Sequence, residues 1–229
     1  MMRVVAIDGP AASGKSSTAH AVAQAIGFYH LDSGALYRAL TRVALDAGMD
    51  PGAINPAELL PIAEQRGLAL RVEGDTLSPV LDGTPAEGLI RGPAVTAAVS
   101  AVSAVPEVRT WADTAMRALA AEGYPVVVDG RDIGTIVFPE AQVKVFLVAT
   151  PQVRAERRLM QRGEAADSEL VRVEAERLAE RDRADSSRAV APLRKAEGAV
   201  EIDGSALSFE EQVERIVDAA RSAFRNSTP

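Results

Sequence analysis

The 229-residue chain has no cysteine, and that absence removes disulfides, thiol nucleophiles and Cys-ligated zinc or iron–sulfur centres from consideration. Its two histidines are too few for a His-built metal site; His20 falls on a helical pattern and His30 at a strand end. Aromatic residues are scarce, five Phe, three Tyr and one Trp, so the core must be built mostly from Ala, Val and Leu. No apolar run nears the roughly 18 residues of a membrane span. The chain enters a core-type strand at Arg3, which reads as the lack of a signal peptide. A net charge of −7 argues against a nucleic-acid polymer as partner. The expectation is a cytoplasmic monomer that works on small molecules, with no membrane and no nucleic-acid partner.

One dense segment stands against these absences. Gly9-Pro-Ala-Ala-Ser-Gly-Lys-Ser16 has the form G-x-x-x-x-G-K-S, directly after the apolar run Val4–Ile7 and directly before an Ala-rich helical pattern. A buried strand that stops at Asp8 must wrap an anion before the next helix begins. Gly9 and Gly14 permit the backbone angles that turn successive N–H groups inward, and the helix starting near Lys15 adds the positive end of its dipole. Gly9, Pro10, Ala11, Ala12, Ser13, Gly14, Lys15, Ser16 and Ser17 are therefore the expected ATP- or GTP-phosphate loop. Lys15, expected to face solvent without nucleotide, would reach the β- and γ-phosphates; the Ser16 hydroxyl would bind Mg²⁺.

The remaining pattern alternates apolar strands with helices, which predicts an α/β P-loop fold of three layers with a central parallel sheet and helices on both faces. Strands are expected at about 3–8, 28–31, 125–129, 143–148 and 200–203. Helices are expected at about 15–26, 33–46, 56–66, 93–103, 107–122, 151–162, 168–183 and 208–225. Between Leu68 and Arg91 the period shortens to alternation broken by Glu73-Gly-Asp75 and Asp82-Gly83. That reads as a small antiparallel insert at about 67–91, separate from the parallel sheet. No repeat or long linker interrupts the chain, so it is one domain, with core segments 1–66, 92–150 and 189–229 and a helical lid at about 151–188.

Three further constellations carry chemistry. Asp129 ends the apolar run Val126–Val128, so it should face the loop across the carboxyl ends of the strands and bind Mg²⁺ directly or through water; a helix cap is the bland alternative. Arg131 and Asp132 follow on a Gly-flanked loop suited to an acceptor's phosphate and polar edge. Ser33 at a helix start and Arg38 beyond it suggest a second anion site. Arginines crowd the C-terminal half, among them Arg154, Arg157, Arg158, Arg162 and the set Arg172–Arg188. Most read as a salt-bridged, solvated helix pair, but Arg181, Asp185 and Arg188 would share one face of a continuing helix. Arginines closing over two bound phosphates would neutralise transferring oxygens and exclude water.

With these segments together, the chain resembles the bacterial cytidylate kinases, a branch of the nucleoside monophosphate kinases. The resemblance rests on Ile7–Thr18, Leu31–Arg38, Asp129–Pro139 and Glu180–Leu193, in family order and spacing across nearly the whole chain. It implies Mg²⁺-assisted transfer of the ATP γ-phosphoryl group to CMP or dCMP. It also implies that Ser33, Arg109 and Asp132, helped by Arg188, contact the cytosine ring, and that Arg38 and Arg131 hold the CMP phosphate. Ser100, Arg181 and Asp185 would sit at the sugar, with Arg181 and Arg188 also near the reacting phosphates. Ser103 lies one helical turn from Ser100 on the same face.

Overall fold

Five buried residues form β1 (Val4–Asp8), and the phosphate loop then leads into α1 (Lys15–Ile26). Gly14 and Gly27 bracket that helix in the left-handed region, at φ 95° and 71°. β2 (Tyr29–Asp32) feeds α2 (Ser33–Asp46), whose first turn is capped by the Asp32 carboxylate accepting the Ala35 N–H at 3.2 Å. α3 (Pro56–Gln65) precedes β3 (Ala69–Glu73), β4 (Thr76–Leu81) and the two-residue β5 (Thr84–Pro85). A single turn, α4 (Glu87–Ile90), leads to α5 (Pro93–Val102) and α6 (Pro106–Ala121). β6 (Val126–Gly130), a π-helical turn at Ile133–Val137 and β7 (Val143–Val148) follow. α7 (Pro151–Gln161) and α8 (Ser168–Ser186) pack on each other, and β8 (Val200–Asp203) and α9 (Phe209–Arg225) complete the order. The computed structural model describes residues 2–225.

The sheet runs β3-β4-β2-β6-β1-β7-β8, with β5 on β4, and its five strands β2, β6, β1, β7 and β8 are parallel. Alternate residues of β1 serve opposite layers. Val4 and Ala6 pack with α2, α3, α5 and α6, whereas Val5 and Ile7 pack with α1 and α9. This is the three-layer α/β fold expected. A third, small apolar cluster joins Ala11 of the phosphate loop to Ala155, Leu159, Val171 and Leu178 of α7 and α8.

Two details differ from the sequence reading. The insert strands pair antiparallel with one another, but they are not separate from the main sheet. β4 bridges β2 in parallel at His30↔Thr76, and the His30 N–H donates to the Asp75 carbonyl at 2.9 Å. The outer edge of β2 would otherwise carry unpaired backbone groups, and β4 takes them up. The second difference is that α8 runs to Ser186 and stops there, so Arg188 lies past the helix end instead of on its continuing face.

Candidate active site

The loop after β1 is shaped by close approaches that only certain residues permit. A Cβ on Gly9 would stand 2.1 Å from the Leu147 carbonyl oxygen of β7, so no side chain fits. Ala12 holds φ 57°, a left-handed conformation uncommon for alanine. Lys15 corrects the expectation of a solvent-facing side chain: it is 5% exposed. Its ammonium donates to the Pro10 carbonyl at 2.6 Å and the Ser13 hydroxyl at 3.4 Å. Burial, reinforced by Arg131, pulls the Lys15 pKa down to about 7. Ser16 and Ser17 are exposed at the start of α1.

Strand register brings Asp129 to this loop, since Asp129 aligns with Ile7 of β1 on one side and Asp32 of β2 on the other. Its Oδ2 accepts the Ser16 hydroxyl at 2.6 Å and its Oδ1 lies 2.8 Å from His30 Nε2. Burial pushes the Asp129 carboxyl upward, but the hydrogen bonds from His30 and Ser16 and the charges of His30 and Lys15 outweigh it and hold the group below the usual range. Among the described residues no three His, Asp or Glu side chains form a metal cage. A hydroxyl and one carboxylate, both hard oxygen donors, suit Mg²⁺, which takes its remaining ligands from water and phosphate.

Asp8, one step further along β1, turns to a different task. Its carboxylate accepts the N–H groups of Ile133 at 2.8 Å and Gly134 at 2.7 Å, and so anchors the first turn of the π-helix directly after Asp132. Burial raises its pKa to about 6 against those two bonds. The Arg131–Gly134 stretch, read as a plain Gly-flanked loop from sequence, is thus fastened to the strand that carries the phosphate loop.

Where the sequence suggested a second anion site, the structure holds an arginine cluster with few counter-charges. Arg131 Nε and Arg188 Nη2 share the Asp185 carboxylate at 2.8 and 2.6 Å. Arg188 also donates to the Ser103 hydroxyl at 3.1 Å, and Arg109 to the Ser103 carbonyl at 3.1 Å. Arg109 and Asp132 form a buried ion pair, with the guanidinium 5.1 Å from the Tyr37 ring centroid. Arg38 donates to Thr96 Oγ1 at 3.0 Å and, like Arg181, forms no ion pair among the described residues. Burial and the nearby Arg131 lower the Arg181 pKa to about 10, and its Nε is buried without a partner. Such a cluster is stabilised by an added polyanion.

Ser33, Arg38, Arg109, Arg131, Asp132, Arg181, Asp185 and Arg188 therefore line one region. The Ser33 hydroxyl is occupied by the Asp129 backbone carbonyl at 2.7 Å. At the Ser100/Ser103 pair it is Ser103 whose hydroxyl and carbonyl enter the arginine network; Ser100 gives its carbonyl to the Ser103 hydroxyl at 3.2 Å. Sequence reasoning missed Asp8, His30, Thr96 and the placement of Arg158 beside Arg38 and Arg181. For Asp8 the signal was present, a carboxylate ending an apolar strand, the same cue that singles out Asp129.

A three-layer α/β fold with a G-x-x-x-x-G-K-S loop after β1 and an arginine cluster beside it is that of a phosphotransferase of the P-loop class. The cytidylate kinase family model matches residues 5–222. A cytidylate kinase of Streptomyces griseus is 45% identical over 215 residues, covering 93% of this chain and 90% of that one. One of Geobacillus kaustophilus is 46% identical over 217 residues, covering 93% and 94%. The chain belongs to the cytidylate kinase family.

Proposed function

We propose that this chain transfers the γ-phosphoryl group of ATP to CMP or dCMP, giving CDP or dCDP. The observation that carries the reading is the cluster of Arg38, Arg131 and Arg181 beside the phosphate loop, in which, among the described residues, only Arg131 has an ion-pair partner, Asp185, and shares it with Arg188. A plain alcohol acceptor would not use it; a phosphorylated one would. Gly9–Ser17 cradle the ATP phosphates, with Lys15 exchanging its Pro10 and Ser13 partners for phosphate oxygens. Ser16 and Asp129 would hold Mg²⁺, directly or through water, and the ion would supply charge neutralisation at the phosphates. The acceptor is already a phosphate oxyanion, so no side-chain base is required.

Arg38 and Arg131 take the CMP phosphate, while Ser100, Arg181 and Asp185 sit at the sugar. Ser33 and Asp132 accept from the cytosine amine, and Arg109 and Arg188 donate to N3 and O2. Uracil, with a carbonyl in place of the amine, would meet a buried carboxylate and bind poorly. The 67–91 insert belongs to the acceptor side, and residues 151–188 act as the lid whose Arg181 and Arg188 face the reacting phosphates. The enzyme works as a cytoplasmic monomer on small nucleotides.

The test is coupled ADP release with ATP and Mg²⁺ across CMP, dCMP, UMP, AMP and shikimate. Turnover strongest with CMP or dCMP is expected. Preference for shikimate would overturn the acceptor assignment, and no acceptor-dependent ADP release would make the protein an ATP-gated switch.

A further inference from the structure

Ala11, at the apex of the phosphate loop, has both its N–H and its carbonyl taken by side chains from α7 and α8. The Asp182 carboxylate accepts the Ala11 N–H at 2.9 Å, and the Arg154 guanidinium donates to the Ala11 carbonyl at 3.0 Å. Arg154 and Asp182 are also ion-paired to each other, with side chains 7% and 17% exposed. The Ala11 methyl is enclosed by Ala155, Leu159, Val171 and Leu178. Two residues on, Arg157 donates to the Ser13 carbonyl at 3.1 Å and to the Gly204 carbonyl at 2.7 Å. Between these fixed points lies Ala12 at its left-handed φ of 57°. The strained residue is thus flanked on both sides by charge-assisted hydrogen bonds from outside the loop.

The sequence suggested that most charges of α8 form a solvated face, and for Arg172 with Glu169 and Glu176 that holds, since all three are exposed. Asp182 and Arg154 differ in kind. They are largely buried, they satisfy two backbone groups of one residue, and neither contributes to the acceptor cluster. A carboxylate on the Ala11 N–H also withdraws that donor from the set available to a nucleotide. The other N–H groups are then left to meet the phosphates in a shape already set.

We propose that Arg154 and Asp182 form a positioning clamp that holds the phosphate loop in its nucleotide-binding shape before nucleotide arrives. The inference rests on Gly9–Ser17 being the ATP loop. Its energetic basis is preorganisation, since a loop ordered in advance does not have to be ordered by its ligand.

Calorimetric binding of ADP and of CMP, without turnover, tests it on the full chain as wild type, Asp182→Ala, Arg154→Met, the double variant and Asp182→Asn. Loss of either partner should weaken ADP about ten- to a hundredfold, the scale of a charge-assisted hydrogen bond, and leave CMP within about threefold. The double variant should lose little more than either single one, because the two side chains act as a unit. Asp182→Asn keeps an acceptor for the Ala11 N–H and should fall between wild type and Asp182→Ala. Folded single variants that bind ADP within about twofold of wild type would overturn the clamp, as would equal losses of ADP and CMP. Amide exchange offers a reading that needs no ligand and tolerates reduced stability. Ala11 should exchange at least about tenfold faster in Asp182→Ala with β1 unchanged, and unchanged exchange at Ala11 would refute the proposal. Wild type that binds ADP equally well after Lys15→Ala would refute the ATP-loop reading itself.

Discussion

Asp132→Asn separates two roles that the Arg109–Asp132 pair combines. In the structure Asp132 is already engaged: Arg109 pairs with it, and the side chains are 4% and 5% exposed. Burial raises the Asp132 carboxyl and Arg109 opposes that rise, while Asp132 in turn supports the charge of the buried Arg109. Removing one charge leaves Arg109 buried with the Ser103 carbonyl, the Tyr37 ring face and the nearby Asp113 as its remaining company. Breaking a buried pair from one side costs about 3–5 kcal/mol. Those residual partners place this case near the lower end, about 3 kcal/mol. A domain with a typical stability of about 5–15 kcal/mol survives that loss, so the variant can be assayed folded. Urea unfolding should show the drop, and the double variant Arg109→Met/Asp132→Leu should recover part of it, because no unpaired charge remains buried. In steady-state kinetics the KM for CMP should rise about ten- to a hundredfold, with the KM for ATP nearly unchanged. A stability loss under about 1 kcal/mol would refute the argument that the pair is mutually supporting. A larger rise in the KM for ATP would make Asp132 a donor-site residue and reverse its assignment relative to Asp129.

Three further outcomes follow from the same geometry. Lys15→Ala should lower kcat by at least about a hundredfold while circular dichroism shows a folded protein, since the charge acts on the transferring phosphate; near-normal kcat would remove the phosphate-loop assignment. Gly9→Ala should fail to fold or lose most of its stability in urea, because the added Cβ would meet the Leu147 carbonyl at 2.1 Å; a wild-type unfolding midpoint would show that β1 and β7 part easily. Asp8, with a folded pKa of about 6 against an unfolded value near 4, binds more protons folded than unfolded. Its contribution to stability is therefore full below about pH 4 and declines by about 3 kcal/mol as pH rises through 6. The stability of Asp8→Asn relative to wild type should accordingly increase between pH 4 and 7, and a flat difference would contradict it.

How much of this was legible in the sequence depends on how local each cause is. The phosphate loop, α1 and the cap at Asp32 were readable because their requirements lie within a few residues: Gly where φ is positive, a carboxylate three residues before the N–H it takes. β1 and β6 were readable because a strand buried on both faces is a nearly uninterrupted apolar run, whereas β8, Val-Glu-Ile-Asp, is mostly exposed and carries a weaker signal. The Lys15 side chain was misjudged because its burial depends on the loop's three-dimensional path. The Arg154–Asp182 clamp and the joining of β4 to β2 were hidden because their partners are far away in sequence, 143 and 171 residues from Arg154 and Asp182 to Ala11.

The two strand-end carboxylates show what kind of information was missing. Asp8 and Asp129 end near-identical apolar runs, Val4–Ile7 and Val126–Val128, and composition cannot tell them apart. Register can. Ile7 aligns with Asp129, and Asp8 with Gly130, so the two carboxylates are out of step by one residue and point to opposite faces of the sheet. Asp129 shares the face of Val5, Ile7 and Val127, which α1 covers, and so meets Ser16. Asp8 shares the face of Val4, Ala6 and Val128, and so meets the loop that carries Arg131 and Asp132. Gly130 is what lets the chain pass there, since a Cβ on it would stand 2.6 Å from the Ser33 hydroxyl. A slip of one residue between β1 and β6 would bring Asp8 and Asp129 onto one face of the sheet and leave the other face without its carboxylate. Which carboxylate meets Ser16 and which meets the Arg131–Asp132 loop is therefore set by sheet register, a property no local motif records.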